Sequence, residues 1–423
     1  MRRSPATAAV IAVAALLLAG CSAASTSPAT TVTGTAAAAG CVADPQRLVS
    51  ASVPQPGTAL PDALSAQVDA AVTSALAQTS ASGAMVGIQT PEGRLVRAYG
   101  VADPATGRPM TPDEHQRIGS VTKTFTGTLV DQLAQQGRLS LDDTIDRYVS
   151  GVPNGSQITL RMLITMTSGL ASYTLSEDVV SRWFADPAAS WTPEQLLQDA
   201  FALPPLFPPG QRFDYSNTNF VLLGVVIEKV TGKPYATVLQ EQILQPLGLS
   251  QTSMQAGTEF PEPHAVGTSL QGVPEGSHTP LNATDWNASF TWAAGGMVST
   301  VPDLLVYGRA LASGQGLLDP QTQLQRLEAF PSPAGYGQGL GCIDGWIGHT
   351  GELPGYTTTL FYDTTSDTTV VVATNTDIAS GSCTVSPTMS PNPSDGPCMG
   401  SAVRVFTALS TVLGHTFTPN PMS

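Results

Sequence analysis

Residues 117–145 read RIGSVTKTFTGTLVDQLAQQGRLSLDDTI, and the fold can be inferred outward from this stretch. Its pattern predicts a helix from about 120 to 137, ended by Gly137. Ser120 and Lys123 are three residues apart, so they share one helix face, one turn apart. A desolvated lysine with a lowered pKa can take the proton of a serine hydroxyl, which is otherwise a weak nucleophile. The pair therefore suggests a serine nucleophile with an adjacent base, although this spacing alone is a weak motif.

A second short motif, Tyr215-Ser216-Asn217, comes directly before the helical run FVLLGVVIEKV at 220–230. A phenol near a charged lysine can pass a proton to a leaving group. The Asn217 amide can bind a substrate amide or orient Lys123. Taken alone, the motif favours a helix N-cap by Asn or Ser and a packed tyrosine over a catalytic role.

A third motif, His349-Thr350-Gly351, lies on a predicted strand just before Glu352. A glycine on an edge strand lets substrate backbone approach closely. A threonine can donate a hydrogen bond to a carboxylate or a carbonyl. Alone, these three residues would be explained by a structural histidine.

Strand patterns occur near both ends of the chain, and helical patterns fill the middle. The strand patterns are at 84–90 and 94–101, which read as a hairpin, and at 334–347, 355–362 and 368–375; helical patterns are at 60–79, at 401–413 and, in short pieces, between 157 and 300. The simplest architecture is α+β: an antiparallel sheet flanked by helices, with a mainly helical domain inserted. We expect one catalytic domain at 46–415, with its α/β part at about 46–120 and 300–415 and its helical part at about 121–299.

The first 21 residues have the organisation of an export signal. Arg2 and Arg3 precede an apolar run that is too short to span a bilayer comfortably. The junction Leu-Ala-Gly-Cys at 18–21 resembles the lipobox of bacterial lipoproteins, in which the cysteine, here Cys21, is lipidated. This predicts an exported lipoprotein on the outer face of the cytoplasmic membrane, with 22–45 as a flexible tether. An ordinary signal peptide with an incidental cysteine is the alternative.

The number of cysteines and the net charge of the chain further narrow the class of protein. Four cysteines remain after Cys21, namely Cys41, Cys342, Cys383 and Cys398, and an even number in an exported protein suggests two disulfides. We favour Cys383 with Cys398 and Cys41 with Cys342; a zinc site is disfavoured because no C-x-x-C pair occurs. The formal net charge of -14 and the lack of a basic stripe argue against nucleic acid binding.

The order and spacing of the three motifs make them more specific together than any one is alone. The second follows the first by about 95 residues, and the third follows the second by about 130 more. Together they resemble the penicillin-recognising serine hydrolases, in particular the class C β-lactamase-like family with its serine D-alanyl-D-alanine carboxypeptidases, esterases and D-aminopeptidases. The resemblance covers about 60–376. It includes 117–145 and the segments ITLRMLITMTSGL (158–170), FDYSNTNFVLLGVVIEKVTGKPY (213–235), PLGLSQT (246–252), AAGGMVSTVPDLLVYGRAL (293–311), YGQGLG (336–341) and GHTGELPGYTT (348–358).

The resemblance implies a β-lactamase/transpeptidase-like fold and a role for each motif. Ser120 is the residue acylated, and Lys123 accepts its proton or holds the hydrogen-bond network. Tyr215 acts as general base in one step and general acid in another; which of Lys123 and Tyr215 is the base stays open. Asn217 contacts the substrate amide.

The same resemblance implies the substrate edge and the oxyanion hole. His349, Thr350 and Gly351 line the substrate, in place of the commoner Lys-Thr-Gly. The backbone N–H groups of Ser120 and Glu352 form the oxyanion hole. No metal or organic cofactor is implied.

Two departures from the family pattern bear on the substrate. Some carboxypeptidases of the family have a basic residue shortly before the third motif, whereas no Lys or Arg lies between Arg326 and Arg404 here, and Asp344 does. A substrate carboxylate would then depend on His349, on Thr350 or on a distant arginine. The loop at 377–399 resembles an insertion, which would restrict substrates if it packs over the site.

Three functions follow from these expectations. The first is a D-alanyl-D-alanine carboxypeptidase-type peptidase that cleaves peptidoglycan stem peptides through an acyl-enzyme. The second is an esterase or weak β-lactamase on the same scaffold, acting on small esters or amides. The third is a non-catalytic lipoprotein that binds β-lactams or wall fragments, against which the intact motifs argue.

Overall fold

The computed structural model describes residues 40–50, 58–274, 276–330, 334–384, 388–419 and 422. The predicted signal peptide, its Cys21 and most of the predicted tether therefore lie outside the described residues. Within the described part of the chain, no helix combines the length and the apolar character that crossing a bilayer requires.

Twelve α-helices occur in the described residues. They are α1 Pro45–Ser50, α2 Asp62–Leu76, α3 Thr122–Gln135, α4 Leu160–Ile164, α5 Glu177–Ala185, α6 Pro193–Phe201, α7 Asn217–Thr231, α8 Tyr235–Leu239, α9 Gln245–Leu247, α10 Val301–Ser313, α11 Pro320–Glu328 and α12 Ser401–Val412. A 3₁₀ turn, Gly119–Val121, leads directly into α3. The helices between α3 and α10 form the predominantly helical middle of the chain.

Thirteen strands form three sheets in the same residues. They are β1 Gly83–Gln89, β2 Arg94–Asp103, β3 Arg108–Pro109, β4 Gln116–Arg117, β5 Ser253–Met254, β6 Thr268–Ser269, β7 Leu281–Asn282, β8 Met297–Ser299, β9 Ala334–Tyr336, β10 Gly341–Ile343, β11 Trp346–Leu353, β12 Tyr356–Asp363 and β13 Thr368–Thr374. The large sheet is antiparallel, in the order β3-β2-β1-β13-β12-β11-β10-β9. Strands from both ends of the chain therefore meet in one sheet, through the pairing of β1 with β13.

Helices cover both faces of the large sheet, which explains why every residue of its central strands β1, β12 and β13 is buried. Alternate residues of β1 point to opposite faces. Val86 and Ile88 are fully buried in one cluster with α2 and α12, whereas Met85 lies in the other cluster with α3 and α10. Full burial of each such side chain stabilises the fold by about 1.5–3 kcal/mol. The predicted α+β, β-lactamase/transpeptidase-like class is confirmed.

Two details differ from the sequence-based expectation. The strand expected at 334–347 is broken into β9, β10 and the start of β11, because positive φ angles turn the chain first at Gly339 and then at Asp344 and Gly345. The part expected to be helical also contains short strands. The last of these, β8, pairs with β4 and so brings residues 297–299 beside the segment that precedes Ser120.

Both favoured disulfides are present. Cys41 bonds to Cys342 of β10 and thereby ties the first described residues to the large sheet. Cys383 bonds to Cys398 within the loop that precedes α12. The Arg404 guanidinium of α12 holds that loop by donating to the carbonyls of Ser380 and Pro397.

Candidate active site

The three sequence motifs meet at one cavity of about 400 Å³ between the large sheet and the helical middle of the chain. Ser120 lies in the 3₁₀ turn, and Lys123 lies in the first turn of α3. Tyr215 and Asn217 stand at the start of α7, and 349–351 lie on β11. The structure thus brings together residues that the sequence separates by more than 200 positions.

Lys123 makes the central contacts of the site. Its side chain is fully buried, and Nζ lies 2.9 Å from Ser120 Oγ. Nζ also donates to Asn217 Oδ1 at 2.7 Å and to the Ala294 carbonyl at 2.7 Å. Burial lowers the pKa of Lys123 well below its ordinary value. A neutral amine has two hydrogens for the two oxygen acceptors, so its lone pair remains free for the Ser120 hydroxyl.

Tyr215 differs from Lys123 in the direction of its pKa shift. Its phenol hydrogen-bonds with Ser120, and its ring centroid lies 4.8 Å from Lys123 Nζ. Burial raises the pKa of Tyr215, and the hydrogen bond with Ser120 opposes this only in part. The tyrosine therefore holds its proton at neutral pH, which suits a proton donor.

His349 is buried and neutral. Burial, followed by the nearby Lys123 charge, lowers the pKa of His349 to about 3. Its Nδ1 lies 2.5 Å from the Thr350 carbonyl, and Nε2 lies 3.2 Å from the Tyr336 hydroxyl. In the neutral ring, Nδ1–H donates to that carbonyl and Nε2 accepts from Tyr336. His349 is consequently uncharged at neutral pH in the structure.

The backbone of the 3₁₀ turn packs directly against β11. A Cβ on Gly351 would lie 1.8 Å from the Ile118 carbonyl oxygen and 3.3 Å from Ser120 N. A Cβ on Gly119, where φ is +50°, would lie 2.5 Å from Glu352 N. Only glycines permit this approach, which sets the backbones of Ser120 and Glu352 side by side, as an oxyanion hole requires.

We expect Gly351→Ala to lower kcat/KM by about 100-fold or more, because the new methyl group must push β11 away from the nucleophile turn. Steady-state kinetics with an activated ester will measure this. Gly257→Ala is the matched control, since a Cβ there meets nothing within 4 Å. Equal activity of the two variants would show that the close approach is not needed.

The remaining cavity wall has an apolar part and a polar part. The apolar part comprises Leu175, Trp183, Phe290 and Leu353, and the polar part comprises Arg212, Asp214 and Glu352. Arg212 Nη1 donates to Asp214 Oδ2 at 2.7 Å, so these two charges largely neutralise each other. The Trp183 and Phe290 rings stack at 3.9 Å although they are far apart in sequence.

Sequence reasoning did not identify several residues of the site. The Ala294 carbonyl and the Tyr336 hydroxyl both lie in segments that resemble the family, AAGGMV and YGQGLG, so their position had a sequence signal. No motif indicated Trp183, Phe290 or Arg212, whereas Asp214 lies in the family-like segment at 213–235. The loop expected to be an insertion begins behind the cavity wall, where Asp377 accepts from the wall residue Gln271, and Gly400, immediately after the loop, lines the cavity.

Comparisons with known proteins agree with this geometry. Residues 68–382 match the sequence profile of the Beta-lactamase family. "Protein flp" of Staphylococcus aureus strain N315 is 31% identical over 202 residues, which cover 46% of this chain and 39% of flp. This chain therefore spans only about two fifths of the length of such curated relatives.

Two solved structures share the fold and are 30% and 26% identical to this chain in sequence. A D-stereospecific amidohydrolase from Streptomyces sp. is 30% identical with a TM-score of 0.66, covering 74% of this chain and 94% of that one. A D-amino acid amidase from Ochrobactrum anthropi SV3, complexed with L-phenylalanine amide, is 26% identical with a TM-score of 0.70, covering 84% and 100%. Residues 68–382, which match the family profile, contain all three motifs.

Proposed function

The chain belongs to the Beta-lactamase family of serine hydrolases, and from this premise we propose that it hydrolyses small amides through an acyl-enzyme on Ser120. The observation that carries the proposal is the contact between Ser120 Oγ and the buried Lys123 Nζ at 2.9 Å. A nucleophile within hydrogen-bond reach of a base, which a third group orients, is the arrangement that acyl transfer needs. Here Asn217 Oδ1 is the orienting group.

In the proposed reaction, Lys123 takes the Ser120 proton as Oγ attacks the substrate carbonyl carbon. The oxygen that becomes negative is stabilised by the N–H groups of Ser120 and Glu352. Tyr215 gives its proton to the leaving nitrogen and regains one from Lys123, so the C–N bond breaks and an ester remains on Ser120. Water then attacks that ester, with the proton transfers reversed, and releases the acid.

The charges around the cavity favour an amide whose leaving group carries no carboxylate. His349 is neutral, and Arg212 is paired with Asp214. Lys123 is buried behind the nucleophile and shares its hydrogens with two oxygens. Two similar solved structures, a D-stereospecific amidohydrolase and a D-amino acid amidase, support the same substrate class.

A D-alanyl-D-alanine carboxypeptidase, the first function expected from the sequence, is the second candidate. One observation favours it: Arg212 lines the cavity and would bind a terminal carboxylate if it exchanged Asp214 for the substrate. Cell-wall peptides as substrates, and export with a lipid anchor at Cys21, stay predictions from the sequence, because residues 1–39 lie outside the described part.

Product analysis separates the candidates. The full chain is incubated with D-phenylalaninamide and, separately, with a diacetylated peptide that ends in D-alanyl-D-alanine, and released ammonia and D-alanine are measured. We expect ammonia to form at least about tenfold faster. Faster release of D-alanine would favour the carboxypeptidase, hydrolysis of p-nitrophenyl esters alone would favour an esterase, and no turnover of any of them would contradict the enzyme proposal.

A further inference from the structure

Glu352 places a second functional group in the cavity besides its backbone N–H. Its partly buried side chain lines the cavity that contains Ser120 and Thr350. Among the described residues, none donates a hydrogen bond to the Glu352 carboxylate or forms an ion pair with it. A carboxyl group at a substrate cavity, without a donor or a cation of its own, is available to a cationic hydrogen-bond donor from outside the chain.

Unlike Glu352, the neighbouring carboxylates have hydrogen-bond donors. Asp214 accepts a hydrogen bond from Arg212. Asp377, which interacts electrostatically with Glu352, accepts from the Gly355 N–H with one oxygen. Its other oxygen accepts from Ser269 Oγ and from Gln271 Nε2.

Gln271 adds a second acceptor to the same wall. It lines the cavity, and the bond from its Nε2 to Asp377 fixes which end of the amide is oxygen. Its Oε1 is buried and has no hydrogen-bond partner among the described residues. A carboxylate and a free amide oxygen in one region suit a group that carries several donors and a positive charge.

The electrostatics around Glu352 are compatible with a bound cation. Burial, followed by the Asp377 charge, raises the pKa of Glu352 to about 8. A positive charge brought beside Glu352 would reverse this shift, since an adjacent cation favours the ionised carboxylate. An α-amino group has an ordinary pKa of about 8 and matches the carboxyl in acidity.

From these contacts we infer that Glu352, with Gln271 Oε1, binds the free ammonium group of the substrate. Because the Glu352 backbone adjoins Ser120, the ammonium must be close to the scissile carbonyl, as the α-amino group of an amino acid amide is. This inference rests on the proposed function and narrows its substrates to amino acid amides and peptides with a free amino terminus. N-acylated amides, such as those within a cell-wall stem peptide, lack the group that Glu352 recognises.

Binding to a chain that cannot turn over tests the inference directly. The full chain carrying Ser120→Ala is titrated by calorimetry with D-phenylalaninamide and with N-acetyl-D-phenylalaninamide at pH 7. Adding Glu352→Gln, which keeps the size of the side chain, gives the test variant. Adding Glu259→Gln, the same change at an exposed glutamate, gives the matched control.

We expect the free amine to bind at least about tenfold more tightly than the acetylated amide. Glu352→Gln should weaken its binding by about 10- to 100-fold, while Glu259→Gln should not. Unchanged affinity for the acetylated amide would show that the test variant is folded. Equal binding of both amides, no binding of the free amine, or a preference that survives Glu352→Gln would each overturn the inference.

These outcomes are independent of the chemistry at Ser120. If the free amine binds through Glu352 but the unmodified chain releases no ammonia from it, the proposed function fails and the ammonium site stands. If ammonia is released equally from both amides and Glu352→Gln changes neither rate, the amidase stands and the inference fails.

Discussion

Replacing Ser120 with alanine is expected to lower the turnover of every ester and amide substrate by about 10⁴-fold or more. The loss should be this large because every other group at the site acts on a bond that forms at Ser120 Oγ. Lys123 contacts that oxygen directly, and Tyr215 hydrogen-bonds to it. The fold should persist, since Lys123 retains Asn217 Oδ1 and the Ala294 carbonyl as partners.

Mass spectrometry adds a readout that does not depend on turnover. The unmodified chain mixed with benzylpenicillin should gain the mass of one penicilloyl group, and Ser120→Ala should gain none. Ser74→Ala, on an exposed position of α2, is the control and should behave as the unmodified chain does. An adduct on Ser120→Ala would refute the nucleophile assignment. A stable adduct without turnover of any ester or amide would favour the non-catalytic, penicillin-binding alternative.

The spacing of residues in the sequence is sufficient to predict those parts of the site that lie within a single helix or strand. Ser120 and Lys123 had to approach each other once the chain became helical, because three residues make nearly one turn. The sheet could be predicted because its central strands are apolar on both faces and end at turns such as Pro91-Glu92-Gly93. Here the local pattern and the tertiary structure favour the same conformation.

The electrostatics of the cavity could not be predicted in that way. The pairing of Arg212 with Asp214, and the lack of a partner for Glu352 within the described part of the chain, depend on loops whose course no periodic pattern fixes. The break between β10 and β11 also depends on one turn, in which Asp344 takes an unusual positive φ. We expect the substrate selectivity to depend on such positions, so the sequence alone does not predict it.

The choice between Lys123 and Tyr215 as general base is open to a direct test with two leaving groups. A base that activates Ser120 is needed for every substrate, whereas an acid is needed only when the leaving group must be protonated. An alkyl amide must be protonated as it leaves, but p-nitrophenolate leaves without a proton. The two residues therefore predict different patterns across esters and amides.

We expect Lys123→Met to lower acylation by both substrates by about 10³-fold, since it removes the amine beside Ser120. Tyr215→Phe should lower amide hydrolysis by about 100-fold and p-nitrophenyl ester hydrolysis by much less. Single-turnover rates, with circular dichroism to verify folding, will measure both. Circular dichroism matters because Lys123→Met leaves two buried oxygen acceptors without their donor, at a cost of about 1–3 kcal/mol each.

The pH dependence of the acylation rate also distinguishes Lys123 from Tyr215 as the general base. Burial lowers the pKa of Lys123, so the amine loses its proton at a lower pH than an ordinary lysine and is active as a base once it is neutral. The acylation rate should consequently fall as pH decreases through that pKa, and Lys123→Met should abolish this limb. Tyr215→Phe should keep it, because burial holds the phenol protonated across neutral pH. If instead Tyr215→Phe removed the limb and slowed esters as much as amides, the tyrosine would be the base.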